Sequence, residues 1–370
     1  MSMQEMELDG QPTQRMGQRF IDLALPGNNA AWRYIVSLVL IGFFWLILGG
    51  IPYAVLVLAG GMFGNTTADI DPAMGVVSGI DPLWSYVAIN LSLVMLLVGV
   101  CVIAPLMHGR ALRTLITTRR RISWRRFGQG FGLFFLLAAL DAVVEWRLNP
   151  SDFATNFDST RFLILVPLAV ILTPLQVAAE ELMFRGYLIQ MLGRILRSPV
   201  AAAVGAAVLF AVPHFFNPEM ESGAVAMALN YVIMGLFMGL LVLRDNRIEL
   251  AVGVHAGSNF FLAVFMTYPD AALTTPALFT TTRFDPVASL IAFCIMAIVF
   301  WLLQFHVIDR ACPPPDDDEA PPEEPLAGEA FEEPLVGAEW VDYPPVPECD
   351  SEPSAENRLQ ETADDADERG

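Results

Sequence analysis

"LILVPLAVILTPLQVAAEELMFRG" (Leu163–Gly186) carries no charge from Leu163 to Ala179, then sets Glu180 and Glu181 side by side with Arg185 close behind. A bilayer core takes about 20 apolar residues of helix to cross, so the run reads as a membrane span. The two acids at its end are the problem it poses, because a carboxylate inside a membrane is costly unless paired or wet. On a helix, Glu181 and Arg185 are one turn apart with the acid N-terminal to the base, the favourable order for an ion pair. Glu180 is turned about 100° away and has no evident partner there. The glutamates therefore have different tasks: Glu181 is neutralised by Arg185, and Glu180, in apolar surroundings beside a second acid, is a candidate general base. Taken alone, the pair could equally mark the cytoplasmic end of a helix reaching into water.

The same apolar character extends along the chain. Of 370 residues, 55% are hydrophobic, and mean hydropathy is positive, which is too apolar for a soluble domain. The expected fold class is all-α, a polytopic integral membrane protein with about eight transmembrane helices. These fall at 34–59, 83–107, 128–146, 163–184, 199–216, 224–243, 250–267 and 287–306. The first run is too long for a cleaved leader and is read as a span. Arg110, Arg113, Arg119, Arg120, Arg121, Arg125 and Arg126 crowd one link, which the positive-inside rule places in the cytoplasm. Arg185, Arg194 and Arg197, then Arg244 and Arg247, fall on the same side, while 61–82 and 217–223 hold no arginine. Both termini are then cytoplasmic. Every basic side chain is arginine and none is lysine, which suggests GC-rich coding and a bacterial inner membrane.

The formal charge of -19 is concentrated at one end: residues 311–370 hold 20 acids against 2 arginines and 11 of the 26 prolines. Such a segment cannot bury enough apolar surface to offset chain entropy and is expected to be a disordered acidic, Pro-rich cytoplasmic tail. The expected organisation is a cytoplasmic segment at 1–33, a membrane domain at 34–306, and the tail at 311–370. Cys101, Cys294, Cys312 and Cys349 have neither metal-type spacing nor a disulfide pattern. No nucleic-acid partner is expected; the partners implied are the lipid bilayer and whatever the polar residues inside it act upon.

Three other groups of such residues stand out. "FAVPH" (Phe210–His214) places a histidine late in the fifth span, and "HAGSN" (His255–Asn259) places an imidazole and an amide on one helix face of the seventh. Asp141, Glu145 and Arg147, at the outer end of the third, have the spacing of a local surface pair. Gly235 and Gly239 in "GLFMG" have the spacing that lets helices approach closely. Pro167 and Pro174 would free backbone groups just before the acids, a hint of a polar cavity.

Glu180, Glu181 and Arg185 match EExxxR, Phe210 and His214 match FxxxH, and His255 and Asn259 match HxxxN. In this order the set resembles the CAAX prenyl protease and bacteriocin-processing family of intramembrane proteases, over about residues 160–265. The resemblance implies an endopeptidase acting on a membrane-associated protein or peptide. Glu180 would act as general base on a water that His214 helps hold, His255 and Asn259 would donate to the oxyanion, and Glu181 and Arg185 would support the site. It leaves the metal question open, since Glu180, His214 and His255 could supply three ligands of a catalytic zinc. No cofactor is favoured, because an acid already paired to Arg and an Asn in the last motif suit a metal-free site at least as well. The family also contains members tied to bacteriocin immunity, so a non-catalytic immunity or scaffold role is the alternative, and a proton or solute transporter a third.

One spacing does not close. At about 1.5 Å per residue, Glu180 and His255 agree in depth if their spans start as assigned, but His214 comes out too near the outside. Either the fourth helix continues through "GYLIQML" or the fifth begins several residues after Pro199.

Overall fold

A computed structural model describes residues 15–63, 69–70, 77–78, 81–155, 157–268, 271–273 and 275–312. The acidic tail beyond Cys312 lies outside the described residues. The helices are α1 (Gln18–Asp22), α2 (Ala31–Gly42), α3 (Gly50–Phe63), α4 (Pro82–His108), α5 (Trp124–Leu148), α6 (Ser159–Glu181), α7 (Ile189–Leu196), α8 (Pro199–His214), α9 (Ala224–Asp245), α10 (Glu249–Val264), α11 (Pro286–Leu302) and α12 (Asp309–Ala311). The strands are short: β1 (Asp69–Ile70), β2 (Val77–Ser78), β3 (Phe153–Thr155), β4 (Met266–Thr267) and β5 (Phe279–Thr281).

Several helices begin where short polar side chains cap them. Asp81, Ser123, Asp158, Ser198 and Asp285 each accept from backbone N–H groups in the first turn. Pro82, Pro199 and Pro286 then occupy the first helical position, where a missing N–H costs nothing. Among the described residues six helical stretches are long and apolar enough to cross a membrane: Ala31–Val55, Pro82–His108, Trp124–Leu148, Ser159–Leu196, Ala224–Asp245 and Pro286–Ala311. The remaining two apolar helices, Pro199–His214 and Glu249–Val264, are shorter, at about 24 Å each against a hydrocarbon core of about 30 Å. These two short helices carry His214 and His255.

The fourth span corrects one expectation. It does not end at Phe184; α6 passes through a π-helical turn (Leu182–Leu188) into α7 and reaches Leu196. Arg185 is thus no cytoplasmic loop residue but is buried, 1% exposed, and paired within the bundle. The extension also closes the depth problem, because α8 starts at Pro199 directly after the turn. Counted from that turn, Glu180 lies about 24 Å and His214 about 22 Å up their helices.

The arginine-rich links meet at one end. Arg126 binds Asp245 at 2.8 Å and Asp309 at 2.5 Å, and Arg247 pairs with Asp245 at 3.0 Å. The Ile248 amide donates to the Ile116 carbonyl. At the other end a three-stranded sheet, ordered β3-β5-β4, joins the link after α5 to the link after α10. Asp141 and Glu145 make no ion pair with Arg147, which instead stands over the Trp146 ring at 5.8 Å, so the expected local pair does not form.

Helix packing relies on small residues at two crossings. A β-carbon on Gly235 or Gly239 would lie 3.0 Å from Ala207 or 3.2 Å from Ala203, so α9 rests closely on α8, as their spacing predicts. The α5–α10 crossing is tighter: a β-carbon on Gly253 would fall 2.2 Å from the Phe127 carbonyl oxygen, and one on Gly257 2.6 Å from that of Phe131. His255 lies between those two glycines, so its position is set by backbone against backbone. Phe20 and Ile21 of α1 are buried in the main hydrophobic core, which ties the N-terminal segment to the bundle.

Candidate active site

Glu180 and Glu181 close α6, and Arg185 lies in the π-helical turn that follows. Such turns widen one helical repeat and recur at functional sites. Arg185 Nη1 donates to Glu181 Oε1 at 2.8 Å, with both side chains fully enclosed. The guanidinium carbon stands 4.3 Å from the centre of the Phe210 ring, and Nη2 reaches the Gly235 carbonyl at 3.4 Å. Ion pair, aromatic face and carbonyl together offset the desolvation of a cation placed this deep. The π turn is pinned from behind: the Tyr187 hydroxyl and His108 Nε2 are 2.8 Å apart, and His108 Nδ1 donates to the Asn28 carbonyl at 2.7 Å.

Glu181 also holds His255. His255 Nδ1 is 2.8 Å from Glu181 Oε1, so Nδ1 carries the proton and donates to the carboxylate. The opposite nitrogen, Nε2, then faces Glu180, 3.6 Å from Oε2. That oxygen is buried and has no hydrogen-bond partner, while Oε1 is reached at 3.5 Å by Gln176 Nε2 from one turn earlier. The two glutamates differ in their contacts: Glu181 Oε1 accepts from both Arg185 and His255, whereas Glu180 has only the long Gln176 contact, and Oε2 of each is buried without a partner.

His214 ends α8 with Nδ1 2.8 Å from the Phe210 carbonyl. A carbonyl can only accept, so Nδ1 bears the proton and neutral His214 offers the Nε2 lone pair. Phe210 connects the parts, its ring centre being 4.6 Å from that of His214 and 6.1 Å from that of His255. Asn259, one turn beyond His255, is half-buried and makes no side-chain hydrogen bond among the described residues. The structure thus joins Glu180, Glu181, Arg185 and His255 directly, brings His214 in through Phe210, and leaves Asn259 on the His255 face. Among the described residues no group of three or more His, Cys, Asp or Glu side chains is placed as a metal-holding cluster.

Three residues near the site carry no motif. Gln176 was legible as a polar residue one turn before Glu180 in an apolar run. Tyr231 and Glu219 were not, because only the folded chain brings them to His214: the Tyr231 ring centre lies 4.3 Å from that of the imidazole, and the Tyr231 hydroxyl donates to Glu219 Oε1.

The family profile "Type II CAAX prenyl endopeptidase Rce1-like" matches residues 159–261, from the first residue of α6 to just past Asn259. YyaK of Bacillus subtilis (strain 168), itself described as uncharacterized, is 35% identical over 266 residues, covering 71% of this chain and 87% of that protein. No solved structure matches. The chain belongs to the Rce1-like type II CAAX prenyl endopeptidase family, and is a multi-pass membrane protein of a family of proteases.

Proposed function

We propose that the chain is an intramembrane endopeptidase that hydrolyses a peptide bond in a membrane-associated protein or peptide by direct attack of water. One observation carries the reading: Glu180 Oε2 is buried without a hydrogen-bond partner and faces His255 Nε2, whose other nitrogen is held by Glu181. Glu180 takes a proton from the water as its oxygen bonds to the scissile carbonyl carbon, and passes that proton to the leaving amine nitrogen. His214 Nε2 accepts from the same water and fixes its orientation. Asn259 donates its amide N–H to the oxyanion. His255 donates beside it in the imidazolium form, in which Nε2 also bears a proton and Glu181 balances the charge. Arg185 keeps Glu181 in place and touches no substrate atom.

The proposed chemistry routes no step through a metal. The proposed membrane domain has eight helices, the two short ones included, with the arginine-rich links and both termini on the cytoplasmic face of a bacterial inner membrane. The alternation of arginine-rich and arginine-free links supports this orientation.

Quantitative proteomics of membranes from cells with wild-type protein, Glu180→Ala or His214→Ala tests the reading. New peptide termini should appear with wild type and vanish in both variants at equal levels of inserted protein. Retention of the same termini in both variants would contradict it.

A further inference from the structure

A second buried carboxylate lies next to the site and the chemistry above does not use it. Glu219, 1% exposed, sits in the 3-10 turn Pro218–Ser222 just after α8. Its Oε1 accepts from the Tyr231 hydroxyl and from Asn217 Nδ2 at 3.1 Å, and its Oε2 is buried without a partner. Asn217 Nδ2 also reaches the Tyr231 hydroxyl at 3.1 Å, and the Asn217 amide donates to the His214 carbonyl at 3.1 Å. The chain thus leaves His214, turns, and places two side chains on the tip of a tyrosine from α9 whose ring packs on His214, 33° from parallel.

We infer that Glu219 and Tyr231 are positioning residues for His214, and this rests on the hydrolase reading above. The Nδ1 bond to the Phe210 carbonyl fixes one atom of the imidazole but leaves the ring free to tilt about that bond. Tilt decides where Nε2 points, and so whether it reaches a water that Glu180 also reaches. The Tyr231 face removes that freedom, provided the tyrosine is itself held. Glu219 and Asn217 hold it by the hydroxyl. A tyrosine serving only to fill space between α8 and α9 needs no buried carboxylate at its tip, and burying one is costly. The dependence runs in one direction: Glu219 fixes Tyr231, and Tyr231 fixes His214.

The test separates positioning from packing. With a substrate identified from the new termini, Tyr231→Phe, which keeps the ring but loses the hydroxyl, should lower kcat about 10-fold with KM unchanged, and Tyr231→Leu about 100-fold. Glu219→Leu should match Tyr231→Phe, and the double variant should be no worse than either, since both remove the same hydrogen bond. Glu219→Gln, whose amide oxygen still accepts, should restore activity to near wild type. Carbethoxylation of His214 by diethyl pyrocarbonate, followed by mass spectrometry on purified protein, reads the ring without needing turnover. Its rate should change severalfold in Tyr231→Leu and not in Glu219→Gln. Full activity in Tyr231→Leu, or an unchanged labelling rate, would overturn the inference while leaving the protease reading intact. Absence of cleavage by wild type would remove the protease reading, and the labelling rate alone would then decide whether Tyr231 fixes the imidazole.

Discussion

Substituting alanine at Gly253 should disable the site without touching any residue in it. The added methyl would lie 2.2 Å from the Phe127 carbonyl oxygen and 2.8 Å from the Phe131 amide nitrogen, both rigid backbone of α5. Relief to about 3.0 Å requires α10 to move from α5 by about 0.8 Å, and close-packed interiors accommodate such a shift only by displacing whole elements. His255 is two residues away on the same helix. A shift of that size away from Glu181 would take its Nδ1 bond, 2.8 Å at present, to about 3.6 Å, past the useful range of a hydrogen bond. A misplacement of this size costs on the order of 100-fold in rate, and the overpacking itself costs about 1–3 kcal/mol of stability. The control is Gly128→Ala on α5, where the new methyl meets nothing within 4 Å. The assay is the yield of new termini at matched protein levels, with thermal melting in detergent read alongside. Gly253→Ala cleaving within about threefold of wild type would refute the claim that backbone contact sets the position of His255.

Other consequences follow from the same contacts. Glu181→Leu leaves Arg185 buried without its counterion and should cost about 3–5 kcal/mol, seen as a lowered Tm in detergent. Replacing both, as Glu181→Leu with Arg185→Met, should return most of that stability but not cleavage, because His255 still lacks its Nδ1 acceptor; joint recovery of both would contradict the orienting role of Glu181. Asn259→Ala should lower kcat by about 100- to 1,000-fold with Tm unchanged, as the proposed oxyanion role requires of a side chain that makes no hydrogen bond among the described residues. Chelators such as 1,10-phenanthroline should leave the rate of purified protein unaltered, and a loss restored by added zinc would overturn the metal-free proposal.

The helical membrane bundle was largely legible because hydropathy reports burial in lipid directly: among the described residues six helical stretches are long and apolar enough to cross a membrane, and two further apolar helices are shorter. The end of the fourth span was misplaced for a physical reason. Arg185 looks like a loop residue when charge is read alone, yet Glu181 and the Phe210 face neutralise it, so the helix runs on. Contacts within one helix, such as Glu181 with Arg185, follow from spacing. Contacts between helices do not: that Glu181 holds His255, and that Glu219 reaches Tyr231, depends on the crossing set by Gly253 and Gly257 and on a turn after His214. The motifs named the residues, and the fold assigned their partners.

The central claim is that Glu180 is the base and Glu181 its structural neighbour, and chemical rescue distinguishes them most directly. Purified Glu180→Ala should cleave the identified substrate at least about 1,000-fold more slowly than wild type, and added formate, a carboxylate small enough for the vacated space, should restore part of the rate. Glu181→Ala should show no such restoration. Cleavage by Glu180→Ala at close to the wild-type rate, or rescue by formate at Glu181 and not at Glu180, would contradict the account.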